Sequence, residues 1–304
     1  MIQTKTLTSK WLIWTKKISM KYRDLYNQGV EILSSENIPD AKIDARLLLE
    51  YACKTDRNTL FLQGDMEVDI DKEKLYLDLI SKRKQHIPLQ HLTGEQEFMG
   101  LTFEVNEHVL IPRQDTECLV EIVLKHLHDG MQILDMCTGS GCILISLLHY
   151  SNDCVGVGAD LSEKALEVAK KNAKRLGNNG IADKMDIRFV QSNLFEKIDG
   201  IFDMIVSNPP YIKTEVIDTL MPEVKDFEPM MALDGMEDGL YFYRRIILDA
   251  KKHLNRGGQL FFEIGYDQGE DVCMLMRESG YVDVNVAKDL AGLDRVVYGT
   301  FLEE

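Results

Sequence analysis

Gln132-Ile-Leu-Asp-Met-Cys-Thr-Gly-Ser-Gly141 is the stretch that decides the fold of this 304-residue chain. Its first five residues are typical of a buried strand, and Cys142–His149, directly after it, has the apolar composition of a buried helix. The two glycines in between let a backbone approach a ligand closely. A strand, a glycine loop and a helix in this order predict a ligand site at the carboxyl edge of a sheet.

Strand–helix alternation continues from this stretch to the C-terminus. The predicted strands are Gln132–Met136, Val155–Asp160, Ile187–Gln191, Phe202–Ser207, Gly258–Ile264, Tyr281–Val286 and Arg295–Phe301. The predicted helices are Cys142–His149, Glu163–Leu176, Leu240–His253 and Gly269–Ser279. This alternation indicates an α/β fold with a mostly parallel sheet and helices on both faces. Because only Ala287–Asp294 joins the last two strands, which is too short for a crossover helix, we expect that pair to be antiparallel.

The N-terminal part of the chain has a helical pattern instead. Apolar residues share one face of a first helix: Tyr22, Leu25, Tyr26, Val30 and Leu33. Further helices are predicted over Ala41–Cys53 with Asp40 as N-cap, from Asp56 to Leu62, and over Asp71–Lys84 with Leu75, Leu79 and Ile80 facing inward. Residues 22–85 are therefore predicted to form a small helical bundle. A β-hairpin around Gly100 is predicted to follow it.

Composition argues against several classes of protein. The net charge is -15, and it is -19 without the first twenty residues, which hold four lysines and no acidic residue. A surface that negative repels a phosphate backbone, so we expect no direct nucleic-acid partner. No apolar run is long enough for a membrane span.

The six cysteines form no Cys-x-x-Cys pair, which disfavours a metal site and favours a reducing, cytoplasmic location. No dimerisation segment is apparent, so we expect a monomer.

The glycine loop is suited to one kind of cofactor. A dinucleotide fingerprint would need a glycine where Leu144 stands, and the Gly-Lys-Ser/Thr of a P-loop is missing. Asp160, at the end of the second predicted strand, can accept the hydroxyl protons of a ribose. Asp135 can pair with a cationic amino group. Together these features favour S-adenosylmethionine; the alternative is a glycine turn that only allows the helix to pack.

Asn208-Pro-Pro-Tyr211 offers the chemistry needed to methylate a planar nitrogen. Such a nitrogen is a poor nucleophile because its lone pair is delocalised, and acceptors for its N–H groups favour a localised lone pair. The amide oxygen of Asn208 and the carbonyl groups beside the prolines are acceptors of this kind. Tyr211 can lie against the flat group. The alternative is an ordinary Asn-Pro turn at the end of a strand.

Further stretches of the chain resemble one enzyme family. They are Pro88–Gly94, Glu97–Gly100, Val109–Arg113, Asp135–Gly141, Asn208–Tyr211, Ala232–Gly235, Asp238–Leu240, Glu263–Gly269 and Asp289–Val297. The C-terminal part resembles class I S-adenosylmethionine-dependent methyltransferases, with a Rossmann-like seven-stranded sheet. From about Tyr22, the whole chain resembles the HemK/PrmC-type peptide chain release factor N5-glutamine methyltransferases.

The resemblance implies a domain organisation. It implies a helical substrate-binding domain over residues 21–87. A linker with the β-hairpin then covers residues 88–112, and the methyltransferase catalytic domain covers residues 113–304. Residues 1–20 are basic and rich in serine and threonine, and from this composition we expect either a disordered extension or a true start at Met20.

The resemblance also implies roles for single residues. The cofactor would contact Asp135, Cys137, Thr138, Gly139, Ser140, Gly141, Asp160, Asn193, Leu194 and Asn208. The substrate amide would contact Asn208, Pro209, Pro210 and Tyr211, of which Asn208 and Tyr211 are the expected catalytic residues. Asn193 stands where the family usually has an acid, and Cys137 where glycine is frequent. We expect that Cys137 does not need a positive φ and that the enzyme is active.

Three functions are compatible with these patterns. The leading one transfers the methyl group of S-adenosylmethionine to the side-chain amide of the glutamine in the Gly-Gly-Gln loop of class I peptide chain release factors. A second is an amino-methyltransferase acting on adenine or cytosine of DNA or RNA, which uses the same tetrapeptide but is disfavoured by the acidic charge. A third is a non-catalytic cofactor-binding module, which the intact Asn208–Tyr211 disfavours.

Overall fold

The computed structural model describes residues 19–177 and 186–302. The chain divides into two compact units, one ending at Gln85 and the other beginning at His86. The extension expected over residues 1–20 lies almost wholly outside the described residues. Among the helices that are described, none has both the length and the apolar character needed to cross a bilayer.

The N-terminal unit is helical, as predicted. Its helices are α1 (Tyr22–Ser35), α2 (Ala41–Cys53), α3 (Arg57–Leu62) and α4 (Ile70–Arg83). Asp56 caps α3, because its side chain accepts the backbone N–H of Thr59 at 2.8 Å. The prediction that Leu75 faces inward is wrong, since this side chain is 42% exposed. The buried stripe of α4 follows Tyr76, Leu79, Ile80 and Arg83 at helical spacing, one position beyond Leu75.

A buried ion pair links α2 and α4 inside this unit. Arg83 Nε donates to Asp44 Oδ2 at 2.7 Å, and the two side chains are only 7% and 8% exposed. Removing one partner of such a pair leaves a charge in a poorly solvated place, which costs far more than breaking a surface pair. The pair therefore makes α2 and α4 depend on each other.

The C-terminal unit contains the predicted hairpin and the predicted alternation. Its helices are α5 (Leu89–Thr93), α6 (Gln114–His126), α7 (Cys142–His149), α8 (Glu163–Leu176), α9 (Thr214–Ile217), α10 (Pro222–Lys225), α11 (Met230–Leu233), α12 (Tyr241–Ala250) and α13 (Gly269–Glu278). Its strands are β1 (Glu95–Phe98), β2 (Leu101–Glu104), β3 (Gln132–Met136), β4 (Val155–Asp160), β5 (Asp186–Gln191), β6 (Phe202–Ser207), β7 (Leu254–Glu263), β8 (Tyr281–Lys288) and β9 (Asp294–Phe301).

Seven strands form one mixed sheet in the order β5-β4-β3-β6-β7-β9-β8. The neighbours from β5 to β7 are parallel, whereas β9 is antiparallel to both β7 and β8, as predicted. The chain proceeds outward from β3 through β4 to β5 and then returns to β6 on the other side of β3. This reversal leaves a crevice at the carboxyl ends of β3 and β6, where open α/β sheets bind ligands.

Apolar side chains cover both faces of the sheet and fix the position of its carboxyl edge. One face packs against α6 and α7 through residues such as Leu119 and Ile143, and the other packs against α12 and α13 through Ile246 and Val272. All four of these side chains are at most 3% exposed. A sheet buried on both faces is a rigid support for the loops that leave its carboxyl edge.

We expect Asp44→Ala to destabilise the helical unit by about 3–5 kcal/mol, because Arg83 keeps its buried charge and loses this carboxylate. Hydrogen–deuterium exchange of the full chain should show faster exchange in peptides of α2 and α4, by about 100-fold or more. Asp78→Ala is the matched control: its pair with Lys82 is 2.7 Å long, but the side chains are 56% and 48% exposed. Equal effects of the two substitutions would contradict the prediction.

Candidate active site

A cavity of about 490 Å³ opens in the crevice at the carboxyl edge of the sheet. Its wall comes from the loop after β3, the ends of β4 and β6, and two segments over residues 108–112 and 229–236. The predicted site residues that line it are Cys137, Thr138, Gly139, Ser140, Asp160, Asn208 and Pro210. The predicted site residues that do not line it are Asp135, Gly141, Asn193, Leu194, Pro209 and Tyr211.

Backbone hydrogen bonds and one close approach shape the loop after β3. Thr138 N–H donates to the carbonyl of Ala159 at 3.0 Å, which fastens the loop to β4. Gly141 has a φ of +79°, and a Cβ there would lie 3.2 Å from the Cβ of Ala169 in α8. Asn172 of α8 is fully buried and donates to the carbonyl of Ser140 at 3.0 Å. The loop is therefore preformed, and a side chain at position 141 would distort it.

Cys137 corrects an expectation about this loop. It adopts a φ of +64°, although we expected that a positive φ would not be needed there. The reason is geometric. The chain must turn sharply at Cys137 so that the N–H of Thr138 can reach the carbonyl of Ala159 in β4. A left-handed conformation costs a non-glycine residue about 1–2 kcal/mol. The loop forms nevertheless, since its other hydrogen bonds hold it.

Asp160 is held rigidly at the edge of the cavity. Its Oδ1 accepts the N–H of Ser162 at 2.8 Å, and its Oδ2 accepts the N–H of Gly139 at 2.9 Å. Burial raises the pKa of this carboxyl, while the backbone hydrogen bonds oppose that shift. Each oxygen has a second lone pair. The group is thus oriented to accept hydrogen bonds from a ligand's hydroxyl groups.

Asp135 lies beneath the loop and is fully buried. Its Oδ2 accepts the hydroxyl of Thr138 at 2.5 Å, whereas Oδ1 makes no hydrogen bond of ordinary geometry to a described residue. Burial raises the pKa of Asp135 to about 7, although the Thr138 hydroxyl and the backbone N–H of Leu144 oppose the shift. A buried carboxylate with an unpaired oxygen is unfavourable unless a cation or donor completes it. The loop and Asp160 therefore fit a ligand with a ribose diol, and the carboxyl of Asp135 beneath the loop favours a ligand that carries a positive charge, as S-adenosylmethionine does.

Asn208 directly follows β6 and faces this cavity. Its Nδ2 donates to Oγ1 of Thr116, in the first turn of α6, at 3.4 Å. Among the described residues, no donor occupies Oδ1 of Asn208. The cavity therefore brings the side chain of Asn208 into the same space as the loop after β3.

Tyr211 is anchored on the far side of the tetrapeptide. Its hydroxyl lies 3.4 Å from Oε1 of Glu263, and Gln268 donates to its carbonyl at 3.1 Å. Burial is the main cause that raises the pKa of Tyr211. A Cβ at Gly235 would lie 2.7 Å from the backbone of Tyr211, so the Ala232–Gly235 stretch packs directly against the tetrapeptide. The role of Tyr211 as a cover for the substrate stays a prediction.

Asn193 and Leu194 lie away from the cavity lining. Asn193 donates to Oε1 of Glu196 at 2.6 Å, and Leu194 is 5% exposed with a φ of +51°. Their predicted contact with an adenine ring stays a prediction as well. The family usually has an acid at position 193. Here the nearest acid along the chain is Glu196, and its carboxylate is hydrogen-bonded to Asn193.

Sequence reasoning missed part of the cavity wall. Met230, Met231 and Met236 line it and are about half exposed, and His108 and Thr116 are also part of it. The methionines could have been found from the sequence, because they flank Ala232–Gly235. That stretch resembles the enzyme family, but we assigned it no role in the site. No local pattern in the sequence pointed to Thr116, because its place in the cavity wall comes from the packing of α6 against the sheet.

Comparisons with known proteins identify the family and the fold of the chain. Residues 24–94 match the family model of the PrmC N-terminal domain, and residues 114–223 match that of the methyltransferase small domain. The fold resembles that of the hMettl16 catalytic domain, solved in complex with MAT2A 3'UTR hairpin 6, with a TM-score of 0.53 at 19% identity. That likeness covers 75% of this chain and 83% of the other.

Curated relatives match the chain over most of its length. The release factor glutamine methyltransferase of Clostridium acetobutylicum is 40% identical over 283 residues, which cover 91% of this chain and 98% of the relative. The enzyme of the same name from Geobacter sulfurreducens is 37% identical over 294 residues, or 96% and 99% of the two chains. With this cavity and this sheet, the chain belongs to the family of S-adenosylmethionine-dependent release factor glutamine methyltransferases.

Proposed function

We propose that this enzyme methylates the side-chain amide nitrogen of the glutamine in the Gly-Gly-Gln loop of class I peptide chain release factors. The observation that carries the proposal is the shared cavity, in which Asn208 and Pro210 face the loop Cys137–Ser140 across one space. Relatives along nearly the whole chain bear the name of this activity. The acidic net charge of -15 also suits a protein substrate better than a nucleic acid.

The residues of the tetrapeptide would prepare a poor nucleophile for transfer. When bound, S-adenosylmethionine supplies a methyl group that its sulfonium makes electrophilic. Oδ1 of Asn208 and a carbonyl beside the prolines would accept the N–H groups of the glutamine, which localises the lone pair of its nitrogen. Holding that nitrogen in line with the methyl group supplies much of the rate. We assign no general base, because the proton can leave the methylated amide after transfer.

The remaining residues would hold the cofactor, and the helical domain would hold the protein substrate. Asp160 would accept hydrogen bonds from the ribose, Asp135 would attract the amino group, and the loop Cys137–Gly141 would contact the body of the ligand. The helical domain over residues 21–87 is proposed as the part that binds the release factor. All six cysteines are free thiols, which supports a reducing cytoplasm, and we propose a monomer.

A labelling experiment tests the proposed substrate. The chain is incubated with methyl-labelled S-adenosylmethionine and, separately, with a class I release factor, the same factor with its loop glutamine changed to alanine, duplex DNA and RNA. We expect label on the unchanged factor alone. Label on DNA or RNA, or on the factor lacking that glutamine, would overturn the proposal.

Asn208→Ala should reduce kcat by about 10²- to 10³-fold, the usual loss when one preorganised polar group of a transition state is removed. Cofactor affinity, measured by calorimetry with S-adenosylhomocysteine, should change little, because the loop after β3 is untouched. Asn255→Ala is the control, since Asn255 lies at the other edge of the sheet and donates to Asp203 at 2.6 Å. Near-normal turnover of Asn208→Ala would rule out the amide-binding role.

Cofactor binding should strengthen as the pH rises from 6 to 8. Asp135 is protonated below its pKa of about 7 in the free protein, and a cationic ligand favours the carboxylate. The Kd for S-adenosylhomocysteine should therefore fall by up to about tenfold per pH unit below 7 and level off above it. Asp135→Asn should bind more weakly at pH 8 and lose this dependence, whereas Asp203→Asn should keep it. An unchanged pH dependence in Asp135→Asn would refute the assignment.

A further inference from the structure

Gln268 lies between β7 and α13, and its side-chain amide joins three parts of the backbone. It is only 5% exposed and stands outside the cavity wall. Its Nε2 donates to the carbonyl of Tyr211 at 3.1 Å and to the carbonyl of Gly239 at 3.2 Å. Its Oε1 accepts the backbone N–H of Gly265 at 2.9 Å. Any effect of Gln268 on the reaction must therefore pass through these backbone groups.

These three partners allow the amide of Gln268 only one orientation. The N–H of Gly265 can only donate, whereas the carbonyls of Tyr211 and Gly239 can only accept. An amide turned the other way would place its oxygen against two carbonyls and its NH₂ group against an N–H. The side chain is thereby fixed, and it ties the loop after β7 to the end of the tetrapeptide and to a turn that ends at Gly239.

The turn that ends at Gly239 begins in the cavity wall. The N–H of Gly239 donates to the carbonyl of Met236 at 3.3 Å, and Met236 lines the cavity. Gly239 has a φ of +74°, and a Cβ there would lie 2.5 Å from the carbonyl oxygen of Tyr211. Because position 239 carries no side chain, both carbonyls can come within reach of one NH₂ group. Gln268 therefore holds the end of the tetrapeptide and this turn against each other.

An ion pair fixes the other end of the same wall segment. We call residues 229–239 the methionine wall, because the three methionines in this range line the cavity. Glu228 directly precedes it, and Nη2 of Arg113 donates to both carboxylate oxygens of Glu228 at 2.7 Å. The Glu228 side chain is only 1% exposed. The methionine wall is thus fixed at its beginning by Arg113 and at its end by Gln268.

We propose that Gln268 is a positioning residue of the methyl-transfer site, which keeps the tetrapeptide and the methionine wall at a fixed distance from each other. The proposal rests on the function proposed above. In that function, Asn208 would bind the side-chain amide of the glutamine while the rest of the substrate loop lies against the methionine wall. Both contacts form at once only if the two surfaces keep their separation. A shift of about 1 Å would misplace the nitrogen and slow transfer by about 100-fold.

Gln268→Met tests the proposal, since it keeps the length of the side chain and removes both donors. Per cofactor-binding site, kcat should fall by about 10- to 100-fold, and KM for the release factor should rise by about tenfold. The Kd for S-adenosylhomocysteine should stay within about twofold, because the loop after β3 is untouched. The number of sites per chain in that titration counts the folded molecules. A lower number of sites with unchanged KM would show a role in folding alone and overturn the proposal.

Gln268→Glu separates the two sides of the amide. A glutamate keeps an oxygen for the N–H of Gly265, but it has no N–H for the carbonyls of Tyr211 and Gly239, and even when protonated it offers them a single O–H. At pH 8 it should therefore lose kcat by about tenfold or more. Wild-type kcat and KM in this variant would show that only the contact with Gly265 matters and would refute the positioning role.

Glu228→Gln changes the beginning of the methionine wall and leaves the hydrogen bond from Gln268 to Tyr211 in place. It should therefore raise KM for the release factor by a larger factor than it lowers kcat. A loss of kcat as large as that in Gln268→Met would mean that the wall alone controls transfer. Gln268 would then have no separate action on the tetrapeptide, contrary to the proposal.

Gln259→Met is the matched control for Gln268→Met. Gln259 lies in β7, outside the cavity wall, and donates to Oγ1 of Thr300 at 3.4 Å. The same substitution there removes a side-chain amide without touching the tetrapeptide or the methionine wall. Both kcat and KM should stay within about twofold of the wild-type values. Losses equal to those of Gln268→Met would contradict the proposal.

The outcomes distinguish this inference from the proposed function. If wild-type enzyme labels the release factor but both Gln268 variants keep normal kcat and KM, the positioning role is wrong and the function stands. If wild-type enzyme fails to label the release factor, the proposed function itself fails. If Gln268→Met does not fold, Gln268→Glu decides the matter, because it keeps the hydrogen bond to the loop after β7.

Discussion

The rest of this structure depends on how the protein buries carboxyl groups at one edge of a parallel sheet. Asp135 lies in β3, Asp160 ends β4 and Glu263 ends β7, and burial is the largest cause that raises the pKa of each. A charged carboxylate in such a place is unstable unless donors or cations surround it. Different neighbouring groups stabilise each of these three carboxylates, and their different surroundings suit them to different tasks.

Backbone N–H groups complete Asp160, which is therefore a fixed acceptor at the cavity edge. Asp135 lies beneath the loop after β3, outside the cavity wall, and its charge favours a cationic ligand. Glu263 also lies outside the cavity wall, and it is stabilised by the hydroxyl of Tyr211 and by Arg295, whose charge Asp289 shares at 3.0 Å. It therefore holds the end of the tetrapeptide from behind the cavity.

Local patterns predicted the strands and the cofactor loop well because those features are encoded in adjacent residues. The bounds predicted for β3, β4 and β6 are those observed, since each strand is a short apolar run that ends at a polar or glycine signal. Leu75 was misplaced because a helix face is decided by tertiary packing when apolar residues lie on two sides. The φ of Cys137 follows from a hydrogen bond to β4, which no local pattern reveals.

The contact between Glu263 and Tyr211 could not be predicted for the same reason. The two residues are 52 positions apart in the sequence. They meet because β6, which Tyr211 follows, and β7, which Glu263 ends, are neighbours in the sheet. A contact of this kind is a property of the topology.

The choice of substrate also lies outside the tetrapeptide that we propose performs the chemistry. Asn208–Tyr211 would serve any planar amino group, including one on a nucleobase. A nucleic acid would need cations to meet its phosphates, yet the cavity wall presents Met230, Met231 and Met236. Methionine is flexible and apolar, so it can adapt to a peptide loop but offers a phosphate backbone nothing. With its acidic charge, the enzyme would thus combine the proposed site for planar nitrogen with a rim that favours protein.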